Sequence, residues 1–296
     1  MCGIIGYTGE RDAAPLLLDG LQRLEYRGYD SAGIAVIDDT GAIHIAKGAG
    51  KLGALRSALE GAYPAGRTGI GHTRWATHGK PTTDNAHPHT DCGGDVVVIH
   101  NGIVENYLEL RAELRERGHA LRSETDTEVV PHLVESYMAA GDDLLAAFRR
   151  TIARLEGAHA IVVISSREPG LIVAARVGNA GGVVVGYGPA EMFVASDLAA
   201  VLPETQRVAF LSDGEIACVT AGGASYVGFD GAPLVKTPQH VPFEPVSAAK
   251  GAYKHFMLKE IMEQPECIMD TFRGRATFDP PGVELEDLGL GDAVLR

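Results

Sequence analysis

The sequence predicts an α+β domain built in layers. Strand-like runs cluster on either side of a helical middle, and they come as neighbouring hairpins, not as the regular strand–helix–strand alternation of a parallel sheet. The 296 residues, 45% hydrophobic and 22% charged, suffice for one large globular domain or two smaller ones.

The elements follow in order. "CGIIGYTG" is short, β-rich and bounded by glycine, which predicts a strand. "RDAAPLLLDGLQRLEYRG" carries Leu17, Leu18, Leu21 and Leu24 at helical spacing and predicts a helix ending at Gly28. "SAGIAVIDDTGAIHIAKG" predicts two strands turned at Asp39-Thr40-Gly41. A short helix over "KLGALRSALEG", a strand over "TGIGHTRW" and a polar loop from His78 to Gly94 come next. "DVVVIHNG" reads as a buried strand stopping at Asn101-Gly102. "ENYLELRAELRERG" reads as an amphipathic helix with Leu108, Leu110 and Leu114 among its charges.

A second helix starts after "SETDTE", with Pro131 near its beginning, where a missing N–H is tolerated. The helix "GDDLLAAFRRTIARLEG" then precedes the strand-like runs "HAIVVIS", "LIVAARVG", "GVVVGYG", "MFVAS", "VAFLSDGEIACV" and "ASYVGF". Prolines crowd the stretch through Pro245, so residues 236–245 are expected to be a linker. The following "KGAYKHFMLKEIMEQPECIMDTFRGR" is helix-like and needs a partner surface, and the tail stops short, as the front part of something longer would.

A net charge of −13 argues against a nucleic-acid partner, whose phosphates such a surface repels. No run reaches the ~20 apolar residues of a membrane span. Four scattered cysteines (Cys2, Cys92, Cys218, Cys267) and the lack of a secretory signal lead us to expect a cytoplasmic protein without a disulfide framework.

The chemistry starts at Cys2. Removal of Met1 would leave it with both a thiol and an α-amine. The amine titrates near ~7.7–8, so it can serve the thiol as general base at neutral pH and later return the proton to a leaving amine. A frayed and inert terminus is the plain alternative. "HNGIVEN" ends a buried strand in Asn101-Gly102, an amide side chain beside an unencumbered N–H, which suits an oxyanion site; Asn-Gly is also the commonest turn signal. In "HTRWATHG", Arg74 offers a bidentate clamp for a carboxylate, with Trp75, the sole tryptophan, beside it; a surface arginine next to a packed ring reads equally well. In "SETDTEV", Asp126 offers an anion for an ammonium group while Thr125 or Thr127 caps the next helix, although acidic residues suit any helix start. A rival grouping of His87, His89 and Cys92, with His72 or His78, would ligate zinc, but its spacing is not one of the strong zinc patterns.

Taken together, "CGIIGYTG", "LEYRGYDSAG", "GHTRWATHG", "NAHPH", "HNGIVEN" and "SETDTEV" resemble, in register, the glutaminase domains of the glucosamine-6-phosphate synthase family, the isomerising glutamine:fructose-6-phosphate aminotransferases. The likeness spans roughly residues 2 to 240 and continues through "KHFMLKEIMEQP", which resembles the entry to that family's sugar-phosphate isomerase half. It implies the four-layer αββα sandwich of N-terminal-nucleophile hydrolases, with residues 1–240 as the glutaminase domain and 241–296 as linker and start of a sugar-phosphate domain.

Residue by residue, the resemblance makes Cys2 the nucleophile and its own amine the base, with Asn101 and Gly102 as oxyanion hole. Arg74 would bind the α-carboxylate of L-glutamine and Asp126 its α-ammonium. Thr77 and His78 would line the pocket, Trp75 would belong to a closing loop, and His87 to a neighbouring active-site segment. Arg27, supported by Asp30, would orient the terminus. No metal or organic cofactor is implied. Fructose-6-phosphate would engage only the half missing from this chain, and the full-length form would be a homodimer. A Ser-Pro-apolar turn common in the family is replaced here by "GNAGG", which should alter a hairpin and not the chemistry. Two other readings stay open: the glutaminase of another class II amidotransferase, and a non-catalytic amino-acid-binding domain.

Overall fold

The computed structural model describes residues 2–60, 62–242, 253, 256–272, 276–278 and 281–283. The chain divides into two compact units, Met1–Phe243 and Glu244–Arg296.

In the first unit, one antiparallel sheet has eight strands: β1 (Gly3–Thr8), β2 (Ser31–Ile37), β3 (Ile43–Ala49), β4 (Thr68–Arg74), β9 (Val184–Gly188), β10 (Glu191–Ala195), β11 (Arg207–Phe210) and β15 (Gln239–His240). Their spatial order is β15-β11-β9-β10-β1-β4-β2-β3. The second sheet holds β5 (His89–Thr90), β6 (Val96–Gly102), β7 (His159–Ser165), β8 (Ile172–Val177), β12 (Glu215–Thr220), β13 (Gly223–Gly228) and β14 (Pro233–Leu234), in the order β14-β13-β12-β8-β7-β6-β5.

Both sheets are covered on both faces, and successive side chains of a strand point to opposite faces, so the central strands read as continuous apolar runs. Ile4, Ile70, Ile99, Val162 and Val194 fill the space between the sheets. Ile5 and Tyr7 point the other way, onto α1 (Ala13–Leu24) and α2 (Leu52–Leu59). On the far side, Val98, Ile161 and Val163 pack under α3 (Tyr107–Glu116), α4 (Val129–Ala139) and α5 (Leu144–Ile152). The layers therefore run helix, sheet, sheet, helix: the expected αββα sandwich. Leu17, Leu18, Leu21 and Leu24 of α1 are fully buried, each worth roughly 1.5–3 kcal/mol of transfer free energy. Gly3 lets β1 approach α1, since a Cβ there would stand 2.7 Å from both Leu24 Cβ and Thr73 Oγ1.

Several local expectations shift. α1 stops at Leu24, and Glu25–Arg27 form a 3-10 turn before Gly28. Leu108 is exposed, because only Leu110 and Leu114 of α3 share the inward stripe. "VAFLSDGEIACV" divides at the Asp213-Gly214 turn into strands of different sheets. The segment from His78 to Gly94 is not a solvated loop. Asn85, Ala86, His87, His89 and Asp91 are buried, and Lys47 Nζ ties the segment down by donating to the carbonyls of Ala86 (2.7 Å) and Pro88 (3.0 Å). Thr125 and Thr127 do not cap α4, whose N-cap residue Glu128 makes no side-chain capping bond. Within the expected linker, Gln239–His240 adds an edge strand to β11, where neighbouring prolines are tolerated; residues 243–245 lie outside the described residues.

The second unit contains α6 (Phe256–Phe272), with Pro265 inside it, and a small hairpin of β16 (Ala276–Phe278) and β17 (Pro281–Val283). Ile261, Met262, Ile268 and Met269 of α6 are exposed.

Candidate active site

Three strand ends meet at one edge of the sandwich. β1 begins beside the end of β4, with Gly3 opposite Thr73, and β6 of the other sheet ends at Asn101-Gly102. Cys2 is thereby set against Trp75 and Asn101: the Trp75 N–H donates to Cys2 Sγ (3.2 Å), and Asn101 Nδ2 donates to the Cys2 carbonyl (3.2 Å). Burial pushes the Cys2 thiol pKa up, while the Trp75 amide and the charges of Arg74 and Arg27 pull it back. A thiol so placed is a weak nucleophile until a base takes its proton.

Arg74 is buried at the end of β4, and its guanidinium donates to the carbonyls of His78, Gly79 and Lys80. Desolvation lowers its pKa, against the pull of the Asp126 and Asp30 carboxylates and of Cys2. Asp126 is also buried, and its Oδ2 accepts from the Val104 N–H at 2.7 Å, which fixes the turn just past Gly102. A buried cation thus lies within electrostatic range of both the thiol and a buried carboxylate. Asp30 accepts from the Ala76 N–H (2.9 Å) and donates its own N–H to the Arg74 carbonyl (3.0 Å), bracing the corner under Trp75. Arg27 pairs with Asp197 at 2.7 Å, a partner with no flag in the sequence.

The remaining sequence-derived residues are less central. Trp75 is half exposed and meets Tyr29 edge-on, ring centroids 5.7 Å apart. Thr77 is exposed on the loop. The His78 ring packs edge-on against Tyr107. His87 is buried below the site, stacked on His72 (4.2 Å) and accepting from the His100 N–H through Nδ1 (3.3 Å).

What the sequence concealed is a buried histidine array. His72 Nε2 lies 3.1 Å from both the His100 carbonyl and Asn101 Oδ1; both are acceptors, so Nε2 carries a proton, and burial, which lowers the pKa to about 3, keeps the ring neutral. That bond orients the Asn101 amide with its NH₂ toward Cys2. His100 meets Thr127 Oγ1 (2.9 Å) and His159 Nδ1 (3.1 Å), and His89 meets Thr125 Oγ1 (3.1 Å). The threonines expected to cap α4 therefore anchor histidines. One available signal was His72, a polar residue two positions before Arg74 on the same face of a buried strand. The grouping of His87 and His89 with Cys92 does not form: those two histidines belong to the array, whereas Cys92 contacts His119 and His132.

At Gly102, φ is +134°, and a Cβ would stand 2.2 Å from the Ala158 carbonyl and 2.7 Å from His100 Nε2. Only glycine fits there.

The sequence model of the glutamine amidotransferase domain family matches residues 56–221. Curated relatives named glutamine–fructose-6-phosphate aminotransferase [isomerizing] are 50% identical in Symbiobacterium thermophilum (100% of this chain, 48% of the relative), 50% in Aquifex aeolicus (97% and 48%) and 48% in Streptomyces coelicolor (100% and 48%). The chain spans about half the length of these relatives. Among solved structures, the glutamine phosphoribosylpyrophosphate amidotransferase of B. subtilis matches with TM-score 0.65 at 25% identity, covering 77% of this chain and 49% of its own. A structure described as the allosteric regulatory enzyme of purine biosynthesis matches with TM-score 0.67 at 25% identity and the same coverage.

Proposed function

This chain belongs to the glutamine amidotransferase domain family, and from that premise we propose that Cys2, once Met1 is removed, hydrolyses the side-chain amide of L-glutamine. The supporting observation is the convergence of three strand ends, which sets the Cys2 backbone and sulfur against the Asn101 amide and the Trp75 N–H. A thiol whose pKa is raised by burial requires a nearby base. The α-amine of the same residue supplies one without any further side chain.

The amine takes the thiol proton, and sulfur attacks the glutamine carboxamide carbon. Asn101 Nδ2 and the Gly102 N–H stabilise the resulting oxyanion. The amine returns its proton to the departing nitrogen, ammonia leaves, and water then cleaves the γ-glutamyl thioester. Glutamine and water become glutamate and ammonia, and the free thiol is restored. Arg74 takes the α-carboxylate, which replaces the loop carbonyls that now occupy its guanidinium, and Asp126 takes the α-ammonium. Trp75, Thr77 and His78 ride on that loop, so substrate binding and loop position are linked. His87 acts from below by packing on His72, while Arg27 and Asp30 hold the terminus and the β4 corner.

The half-length coverage of 48–50% identical relatives supports a further step: ammonia passed to fructose-6-phosphate to give glucosamine-6-phosphate. On this reading, residues 1–240 are the glutaminase and 241–296 begin the sugar-phosphate half. The sugar site and the homodimer contact then belong to the part of the relatives that this chain does not span, and the setting is cytoplasmic.

Intact mass combined with ammonia release from glutamine tests the proposal. The active form should lack Met1, and Cys2→Ala should abolish release with an unchanged circular dichroism spectrum. A form retaining Met1 that hydrolyses glutamine at full rate would exclude the amine as base. Hydrolysis surviving in Cys2→Ala would exclude the nucleophile itself.

A further inference from the structure

Away from this site, at the opposite end of β6, four potential ligand atoms converge. Cys92 lies in the turn between β5 and β6, His119 follows α3, and His132 and Glu135 stand one turn apart on α4. Cys92 Sγ is 3.6 Å from His119 Nδ1 and 3.5 Å from His132 Nδ1. Glu135 Oε2 is 2.9 Å from His119 Nδ1 and 3.4 Å from His132 Nδ1. All four atoms lie within 4.8 Å of one another.

We propose that Cys92, His119, His132 and Glu135 form a zinc-binding site. A tetrahedral zinc ion with bonds of about 2.3 Å to sulfur and about 2.0–2.1 Å to nitrogen holds its ligand atoms about 3.3–3.6 Å apart. Three of these four separations lie within that span, and the fourth would open by about half an ångström as the ion replaced a direct hydrogen bond. One thiolate, two imidazoles and one carboxylate form a borderline-soft donor set, which suits zinc and not calcium or magnesium.

The surroundings fit as well. Ser136 Oγ is 3.0 Å from His119 Nε2, so the outer nitrogen is engaged and Nδ1 is left as the ligand atom. The Ala120 N–H donates to Cys92 Sγ at 3.4 Å, which holds the sulfur in place beside His119 and His132. Cys92 is exposed and gives the ion a way in, whereas His132 is buried and gives the site a rigid floor.

The four ligands come from three separate elements, and the chain between His119 and His132 includes Asp126. A bound ion would therefore clamp the β5–β6 turn, the exit of α3 and the first half of α4, bracing the loop that presents Asp126. The site would be structural: four protein ligands complete the tetrahedron and leave no position for a reactive water.

The test uses the 296-residue chain carrying Cys2→Ala, which removes the other thiol able to chelate through a neighbouring amine. After gel filtration, metal analysis should find one zinc per chain. Cobalt substituted for zinc should give intense tetrahedral visible bands with a thiolate charge-transfer band. Cys92→Ser should abolish that band and weaken zinc by more than the roughly 10–100-fold that loss of an outer partner costs, and Ser136→Ala should fall within that 10–100-fold range. Zinc should raise the melting temperature of the parent and not of the Cys92→Ser chain. Failure to retain zinc, an octahedral cobalt spectrum, or zinc affinity unchanged by Cys92→Ser would each overturn the proposal.

Discussion

Acidifying the chain from pH 7 to 4.5 should destabilise it, and His72 in the buried histidine array sets the least size of the effect. Burial, chiefly, lowers the pKa of His72 to about 3, and the Asn101 and His100 acceptors on Nε2 only partly oppose it. A second proton would have to sit on Nδ1, which is buried without a hydrogen-bond partner in the structure. In the unfolded chain the same imidazole titrates near ~6.5. Between those values the unfolded chain binds a proton that the folded chain does not, so stability falls as pH falls and is flat above the unfolded pKa. Each such group contributes about 1.4 kcal/mol per pH unit, so His72 alone removes about 3 kcal/mol between pH 6.5 and 4.5.

His87, His89 and His100 are likewise held well below the usual histidine range, first by burial and then by repulsion from one another's protonated rings and, for His87 and His89, from Arg74. Their protonation is opposed in the same direction, so the loss over that window should exceed that of His72 alone. Urea titrations followed by circular dichroism at stepped pH should show stability falling by at least about 3 kcal/mol between pH 6.5 and 4.5. His72→Gln, which keeps a donor toward Asn101, should flatten the slope by about 1.4 kcal/mol per pH unit. Stability that stays level from pH 7 to 5, or a His72→Gln slope equal to the parent's, would refute the reasoning.

Other perturbations separate chemistry from folding. Gly102→Ala forces a Cβ against the Ala158 carbonyl at a positive φ, so glutamine hydrolysis should fall roughly 10²–10³-fold as the oxyanion donors shift, with a stability loss of about 1–3 kcal/mol in denaturant melts. Asp126→Asn keeps an oxygen for the Val104 N–H and deletes the charge; KM for glutamine should rise about 10–100-fold with the melting temperature little changed, as loss of a charged hydrogen bond predicts. Phe148→Ala, fully buried under the helices, should cost about 3–5 kcal/mol in urea while the hydrolysis rate per folded molecule stays the same.

Much of this architecture is legible in the residues because apolar periodicity is local. The leucines of α1 and the unbroken valine runs of β6 and β7 declare elements buried on one face or on two. Cys2, Arg74, Asn101 and Asp126 were legible as chemical types, each with a duller reading beside it. What stayed hidden depends on pairings across long sequence distance. Thr125 and Thr127 look like caps until β6 brings His100, and the inward fold of the chain brings His89, to their hydroxyls. Asp197 is silent until Arg27 reaches it. Cys92 invites pairing with His87 and His89 because they are near in sequence, yet the hairpin turn sends it toward α3 and α4 instead.

The position of β1 also bears on when the thiol acquires its surroundings. Flanked by β4 and by β10, with Ile5 opposite Ala195, it is seated by a strand far along the chain from it. Loop closure over so long a separation must precede its reward. On the proposed reading, the surroundings of the thiol are therefore complete only once the chain through β10 has folded onto β1.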